Sequence, residues 1–332
     1  MKAIRQHRFG GPEVLELEEV DDLQPGPGTV RIAVEAAGVH LLDTAIRAGD
    51  SGGPFPLPDL PMTPGREVAG RVDAVGPDVD ASWLGRRVVA HLGQASGGYA
   101  EQAVAPVDAL IPLRDDTDPA AAAAMVGTGR TCLGILDEAA IMPDDVVLVP
   151  AAAGGLGTLL VQAAAHAGAT VVGAAGGEDK VALVASLGAD IALDYSRDGW
   201  DAQIAEQLGE RPITVVLDGV GGTIGRAAFE LIGPGGRLVL YGYTSGEPTR
   251  LDATDLFARG VAVTAAIGPR MMNRPGGIYA LAVRAVAELE AGRLVPVVNP
   301  PFSLDAAGAA HRALVERRTV GKVVLVPRTL AP

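Results

Sequence analysis

Residues 146–177 contain no Asp, Glu, Lys or Arg, and this uncharged run constrains the fold more than any other segment of the chain. Its length alone would cross a bilayer, for which about 20 apolar residues suffice. Its composition points elsewhere. Ala and Gly dominate over Leu, Ile and Phe, and Pro150 with Gly154, Gly155 and Gly157 break the run into pieces. VVLVP (146–150) is a short β-branched run suited to a fully buried strand. LGTLLVQAAAHAG (156–168) sets Leu156, Leu159, Leu160, Ala163, Ala164 and Ala167 at helical spacing, with Gly168 as the stop. ATVVGAA (169–175) reads as a second buried strand. Strand, glycine turn, helix and strand make a βαβ unit, and a parallel sheet covered on both faces requires uncharged strands. No membrane insertion is expected.

The glycines then have a chemical use. A helix N-terminus presents unpaired N–H groups and a partial positive charge, which suit a pyrophosphate. Ala152, Gly154 and Gly157 occupy the three positions of G-x-G-x-x-G, with alanine at the first. A purely structural βα turn is the alternative, and the flanking strand, helix and strand favour the dinucleotide reading. Further apolar strands at 191–195, 213–222, 236–242 and 261–268 alternate with helical stretches at 178–187, 200–208 and 223–231. Six strands alternating with helices predict an α/β, doubly wound, parallel six-stranded sheet of Rossmann type. An NAD site commonly carries Asp or Glu about 20 residues past the glycine turn. Here GAAGGEDK puts Ala175 at that place and Lys180 on the next helix's first turn, so the expected cofactor is NADPH. Glu178 and Asp179 stand beside them, either capping that helix or opposing a phosphate.

Before this region the texture changes. Short strands in AIRQHRF (3–9), VLELEEV (14–20), TVRIAVEAAGV (29–39), GREVAGRVDAVGPDV (65–79), GRRVVAHL (85–92) and GGYAEQAVAP (97–106) alternate with Pro/Gly turns such as QPGPG (24–28). They predict a small barrel or partly closed sheet, ending near DDTDP (115–119). The proline-rich segment 54–64 cannot join a central strand and reads as an extended loop near a cleft or as a surface connector.

A chain of 332 residues exceeds what one core usually covers, so two domains are expected. The net charge of −13 argues against a general nucleic-acid binder, while leaving room for a local basic pocket. Cys132 is the only cysteine, which excludes an intrachain disulfide framework and a multi-cysteine zinc lobe. MKAIRQHRFGG at the start lacks an apolar run, and a cytoplasmic location is expected.

AAGVHLLDTAIRAG (36–49), PGREVAGRVDAVG (64–76), GGYAEQAVAP (97–106), VLVPAAAGGLGTLLVQAAAHAGATVVG (147–173) and the Lys180/Tyr195 pair occur in this order. Together they resemble the medium-chain dehydrogenase/reductase superfamily, and more closely its zinc-free quinone oxidoreductase (zeta-crystallin-like) branch. The resemblance covers nearly the whole chain. It implies a GroES-like β-rich catalytic domain from residues 1–118 and 268–332, a Rossmann domain at 119–267, and a cofactor in the cleft. It also implies a homodimer, joined in many relatives through the Rossmann sheet edge, here 261–266.

In the superfamily's zinc alcohol dehydrogenases the catalytic ligands match His40, Arg66 and Gly127 or Thr128. Of these only His40 binds metal, and catalytic zinc needs about three protein ligands, so no metal is expected. The resemblance gives Glu67 a pairing with Arg66 or with backbone. Without a Lewis acid, acceptors that spread charge over a conjugated system are favoured, namely quinones and α,β-unsaturated carbonyls. The catalytic candidates are His40, as hydrogen-bond or proton donor or as a residue shaping the cleft, and Asp43, facing the acceptor or capping backbone. Relatives often carry tyrosine at the place of Ala45, and Arg47 is expected to be a structural or rim arginine.

For the cofactor, the resemblance assigns Gly154, Gly155, Leu156 and Gly157, with Ala152, to the pyrophosphate turn. Lys180, Tyr195 and Arg317 fall around the adenosine phosphate. Val220, Tyr241, Gly242 and Tyr243 follow the ribose and nicotinamide, with Thr131 near the latter. Cys132 is expected to be a buried inert thiol, and Met271 and Met272 to line an acceptor site or a dimer contact. The implied activity is NADPH-dependent reduction of a small quinone or enone. An enoyl-thioester or 2-alkenal reductase and a low-turnover NADPH-binding sensor or structural protein are the alternatives.

Overall fold

The computed structural model describes residues 1–50 and 56–327. Two compact units divide the chain, one made of Met1–Gly127 with Ala285–Pro332 and the other of Thr128–Arg284.

The first unit begins with β1 (Lys2–Gln6), β2 (Leu15–Glu19), β3 (Thr29–Val39), α1 (Leu41–Ala48), β4 (Glu67–Val75), β5 (Arg87–His91), β6 (Gln102–Pro106), β7 (Leu110–Pro112) and α2 (Pro119–Ala124). The second contains α3 (Arg130–Ala139), β8 (Val146–Pro150), α4 (Gly155–His166), β9 (Thr170–Ala175), α5 (Glu178–Ser186) and β10 (Ile191–Asp194). It continues through α6 (Trp200–Leu208), β11 (Ile213–Asp218), α7 (Gly222–Glu230), β12 (Ile232–Leu240), α8 (Ala253–Arg259), β13 (Ala262–Ala265) and α9 (Pro269–Met272). The second break falls within α10 (Gly277–Glu290), after which β14 (Phe302–Ser303), α11 (Ala307–Val315) and β15 (Val323–Val326) return to the first unit.

In the first unit β3 is the hub, pairing antiparallel with β4, β6 and β15. The sheet order is β14-β15-β3-β4-β5-β7, with β6 added on β3, while β1 and β2 form a separate ribbon. Alternation along β3 buries Val30, Ile32 and Val34 against Val68, Val72, Val88 and Tyr99. Of the proline-rich segment 54–64, residues 54 and 55 lie outside those described. Met62 exchanges two backbone hydrogen bonds with Gln6, at 2.8 and 3.0 Å, so this part is tied to β1.

In the second unit six parallel strands stack in the order β10-β9-β8-β11-β12-β13. Every residue of β8 is buried, which accounts for the uncharged run. The order reverses beside β8, where a doubly wound sheet leaves its ligand crevice at the strand carboxyl ends.

The breaks differ from the expected 118/119 and 267/268. Asp118 accepts the Ala121 N–H at 2.7 Å, so the end of DDTDP caps a helix. The capped helix α2 packs on β3 and β4 and stays with the first unit. Residues 268–284 stay with the second because Arg270 pairs with Glu138 at 2.7 Å and Arg284 with Asp137 at 2.9 Å. Among the described residues, no helix is long and apolar enough to cross a membrane.

Candidate active site

Three strand ends of the first unit meet at one point. Val39 lies opposite Val323 in the β3–β15 register, so His40 and Lys322, the next residues outward, face one another. Gly38 lies opposite Glu67 in the β3–β4 register. The result is a cluster of His40, Glu67 and Lys322. His40 Nε2 is 2.7 Å from Glu67 Oε1 and 3.0 Å from Lys322 Nζ, and Lys322 Nζ is 2.8 Å from Glu67 Oε2. Glu67 is fully buried, and its two contacts are close as ion pairs but poorly aligned as hydrogen bonds. Its carboxylate fills a slot that needs glycine on both sides, because a Cβ at Gly38 or Gly127 would collide with it. Burial pushes the Glu67 carboxyl up, yet the His40 and Lys322 charges outweigh burial and hold it far below the usual carboxylate range.

His40 Nε2 therefore has an anion on one side and a cation on the other. One tautomer donates from Nε2 to Glu67, and the other accepts there from Lys322 and carries its proton on Nδ1. The ring is about one quarter exposed, enough to reach a ligand.

Asp43 has another place. It is buried in the first turn of α1, where its Oδ2 accepts the His40 N–H at 2.9 Å and the Tyr99 O–H at 3.0 Å. Tyr99 also meets His311 Nε2 at 3.1 Å, and His311 Nδ1 lies 3.5 Å from Arg47. Asp43 thus fixes the backbone that carries His40. Burial is the main cause that lowers the His311 pKa to about 4, and it also raises the Tyr99 phenol. Arg47 is buried and held to the Gly10 carbonyl at 3.1 Å.

Instead of the expected pairing with Arg66 or with backbone, Glu67, the first residue of β4, faces His40 and Lys322. Arg66 lines a pocket of about 180 Å³ together with Asp43, Ile46, Met62, Gln94 and Ser96.

In the second unit the turn after β8 is tight. Ala151 takes φ 53°, an uncommon conformation for a residue with a side chain, and its carbonyl accepts the Gly154 N–H at 3.0 Å. A Cβ at Gly157 would strike the Ala151 carbonyl oxygen and come within 2.7 Å of Ala152 Cα, so only glycine lets α4 start this close to β8. Gly154 is the N-cap and supplies no side-chain cap, leaving the first-turn N–H groups of Gly155, Leu156 and Gly157 without one. Ala152 is buried and donates to the Ala174 carbonyl at 2.9 Å. This donor set fits a pyrophosphate.

At the end of β9, Ala175 is buried and brings no carboxylate. Its register partner on β10 is Asp194, whose carboxylate is taken by the Ser196 N–H at 2.9 Å and the Ser196 hydroxyl. Tyr195 follows, its ring beside Gly176 and edge-on to Trp200 at 6.5 Å. Lys180 is half-buried in the first turn of α5. Glu178, a potential opponent of a phosphate, is paired with Arg197 at 2.7 Å. Past β11, Asp218 is fully buried and accepts the N–H groups of Val220 and Gly221 at 2.8 and 3.0 Å. Tyr241 packs under Gly219, where a Cβ would overlap its ring, while Gly242 is half-buried and Tyr243 exposed. Thr131 is half-buried in the first turn of α3, and Arg317 is exposed in the first unit, after α11.

Two family profiles match the chain: "Alcohol dehydrogenase GroES-like domain" over residues 26–115 and "Zinc-binding dehydrogenase" over residues 155–284. The chain is 32% identical to the quinone oxidoreductase of Pseudomonas aeruginosa, with 98% of this chain and 99% of that protein covered. It is 33% identical to the 2-haloacrylate reductase of a Burkholderia species, with coverages of 97% and 98%. The chain belongs to the medium-chain dehydrogenase/reductase superfamily, in its quinone oxidoreductase branch. The crystal structure of Escherichia coli quinone oxidoreductase complexed with NADPH is similar at TM-score 0.86 and 28% identity, covering 98% of this chain and all of that one.

As a member of this oxidoreductase family the chain keeps the GroES-like unit and the parallel Rossmann-type sheet. Lys322 is the residue that sequence reasoning missed, and its one signal was a lone lysine heading the apolar strand VVLV. Cys132 is fully buried, and burial pushes its thiol up, as suits an inert core cysteine. Met271 packs into the space left by Gly134, whereas Met272 is exposed. Among the described residues, no three His, Cys, Asp or Glu side chains gather in a metal-holding group.

Proposed function

We propose that the chain is a zinc-independent, NADPH-dependent reductase of small conjugated acceptors, quinones or α,β-unsaturated carbonyls. The observation that carries this is the His40–Glu67–Lys322 cluster. Its ammonium lies within 3.0 Å of both groups that could ligate a metal. A divalent cation there would meet a fixed positive charge and have only two ligands, too few for catalytic zinc.

The bound NADPH supplies a hydride. Gly154–Gly157 and the N-terminus of α4 hold its pyrophosphate, and Lys180 and Tyr195 take the 2′-phosphate, for which Ala175 leaves room. His40 donates a hydrogen bond or a proton to the oxygen that gains charge as the acceptor is reduced, and Asp43 keeps His40 in position. The acceptor gains two electrons as hydride and one proton in all. Delocalisation over a quinone or enone lets a single histidine suffice where a simple carbonyl would need a stronger electrophile.

The test is NADPH consumption with 1,4-benzoquinone and with methyl vinyl ketone, in the presence of EDTA. Turnover with both reagents, lowered by His40→Ala while NADPH affinity is kept, is the expected result. Loss of turnover on chelation, or no NADPH oxidation by any acceptor, would overturn the reading.

A further inference from the structure

The pocket beside Arg66 has a charge pattern of its own. Among the described residues Arg66 is its only cation, and its guanidinium has no hydrogen-bond or ion-pair partner there. The residue is anchored by its backbone instead, its carbonyl accepting the Leu92 N–H at 2.7 Å. The adjacent Gly65 takes φ 95°, and a Cβ there would overlap the Tyr99 ring, so the turn that aims Arg66 is fixed. Two carboxylates share the lining. Asp43 is engaged by the His40 N–H and the Tyr99 O–H, and Asp59 is exposed to screening solvent. Gln94 and Ser96 add polar groups, while Ile46 and Met62 add an apolar wall.

A half-buried arginine with unused donors can take up an anion, and its planar fork matches a carboxylate. On a protein with net charge −13, an anionic substrate needs such a local counter-charge. The pocket volume of about 180 Å³ lies below the roughly 300–1,000 Å³ usual for larger ligands. That size suits an acid of three or four carbons. Conjugation of its carboxylate with a C=C bond makes such an acid an acceptor for the proposed reaction, hydride adding at the β-carbon and a proton at the α-carbon.

We propose that Arg66 binds the carboxylate of a small α,β-unsaturated acid and makes this substrate class preferred over neutral acceptors. The proposal rests on the reductase reading given above. Its test compares acrylate and 2-chloroacrylate with methyl acrylate and methyl vinyl ketone, followed by NADPH consumption in wild type, Arg66→Gln and Arg66→Lys. Wild type should use the acids with kcat/KM at least 10-fold above the ester, and the KM for the acids should rise with ionic strength. Arg66→Gln should lose at least 10-fold on the acids, mainly in KM, and under 3-fold on the ketone, with Arg66→Lys in between. A wild type that prefers the ester, or an Arg66→Gln variant equally impaired on acid and ketone, would overturn the proposal. Turnover of ketone and quinone without the acids sinks the proposal and leaves the broader reading standing. Absence of turnover with every acceptor sinks both.

Discussion

Replacing Lys322 by methionine tests the His40–Glu67–Lys322 cluster directly. Glu67 is fully exchanged from water into a slot between Gly38 and Gly127, and Lys322 is itself 5% exposed. Breaking a buried pair by removing one partner costs about 3–5 kcal/mol, because the remaining charge is left uncompensated. His40 remains at 2.7 Å and can take up part of the loss, which places Lys322→Met near the lower end, about 3 kcal/mol. For a unit of this size, about 2–4 °C of melting temperature follows each kcal/mol, so a fall of about 6–12 °C is expected at pH 8.

The pH dependence has a definite sign. The folded-state pKa of Glu67 lies below its unfolded value, so its contribution is present above the unfolded pKa and is lost as pH falls through the folded one. Without Lys322 less holds that pKa down, and Glu67 can take a proton at higher pH. This shrinks the variant's deficit at pH 5.5 relative to pH 8. Glu67→Gln in the Lys322→Met background should restore at least half of the loss, since no buried anion then remains. Thermal melts at the two pH values decide the matter. A Lys322→Met variant melting within 2 °C of wild type at pH 8, or with the same deficit at both pH values, would refute the assignment.

Three further outcomes are expected. Gly157→Ala should weaken NADPH binding at least 10-fold by calorimetry, because the added methyl meets backbone at Ala151 and Ala152 and α4 must shift; unchanged affinity would remove the close-approach argument. Lys180→Glu should weaken NADPH more than 10-fold and NADH less than 3-fold, whereas equal weakening would move the 2′-phosphate elsewhere. His311 has a folded pKa of about 4 against 6.5 for the free side chain, so the unfolded chain binds more protons between these values and stability falls as pH drops through that window, by about 3 kcal/mol at most; His311→Gln should flatten this part of the stability profile, and an unaltered slope would assign it to other groups.

The Rossmann sheet was legible because burial on both faces forbids charge, and the absence of charge shows directly in the chain. The glycine turn was legible for a related reason, since close backbone approach leaves only one residue type at Gly157. The start of α2 was legible because Asp118 caps it and Pro119 opens it, but its packing on β3 and β4 is not written in the local sequence. The cluster at His40 was half legible. His40 and Glu67 lie on segments that resemble the family, but Lys322 reaches them only through the β15–β3 pairing, at a sequence distance of 282 residues. Spacing along the chain carries no information on such a pairing. The resemblance gave Glu67 a pairing with Arg66 or with backbone, whereas its carboxylate meets His40 and Lys322. Because Glu67 is answered by Lys322, coming from the other end of the chain, Arg66 keeps its charge uncommitted in the neighbouring pocket. A lysine at 66 would supply the charge without the planar fork, and a carboxylate at 322 would force Glu67 to seek a proton, so the two cations are not interchangeable.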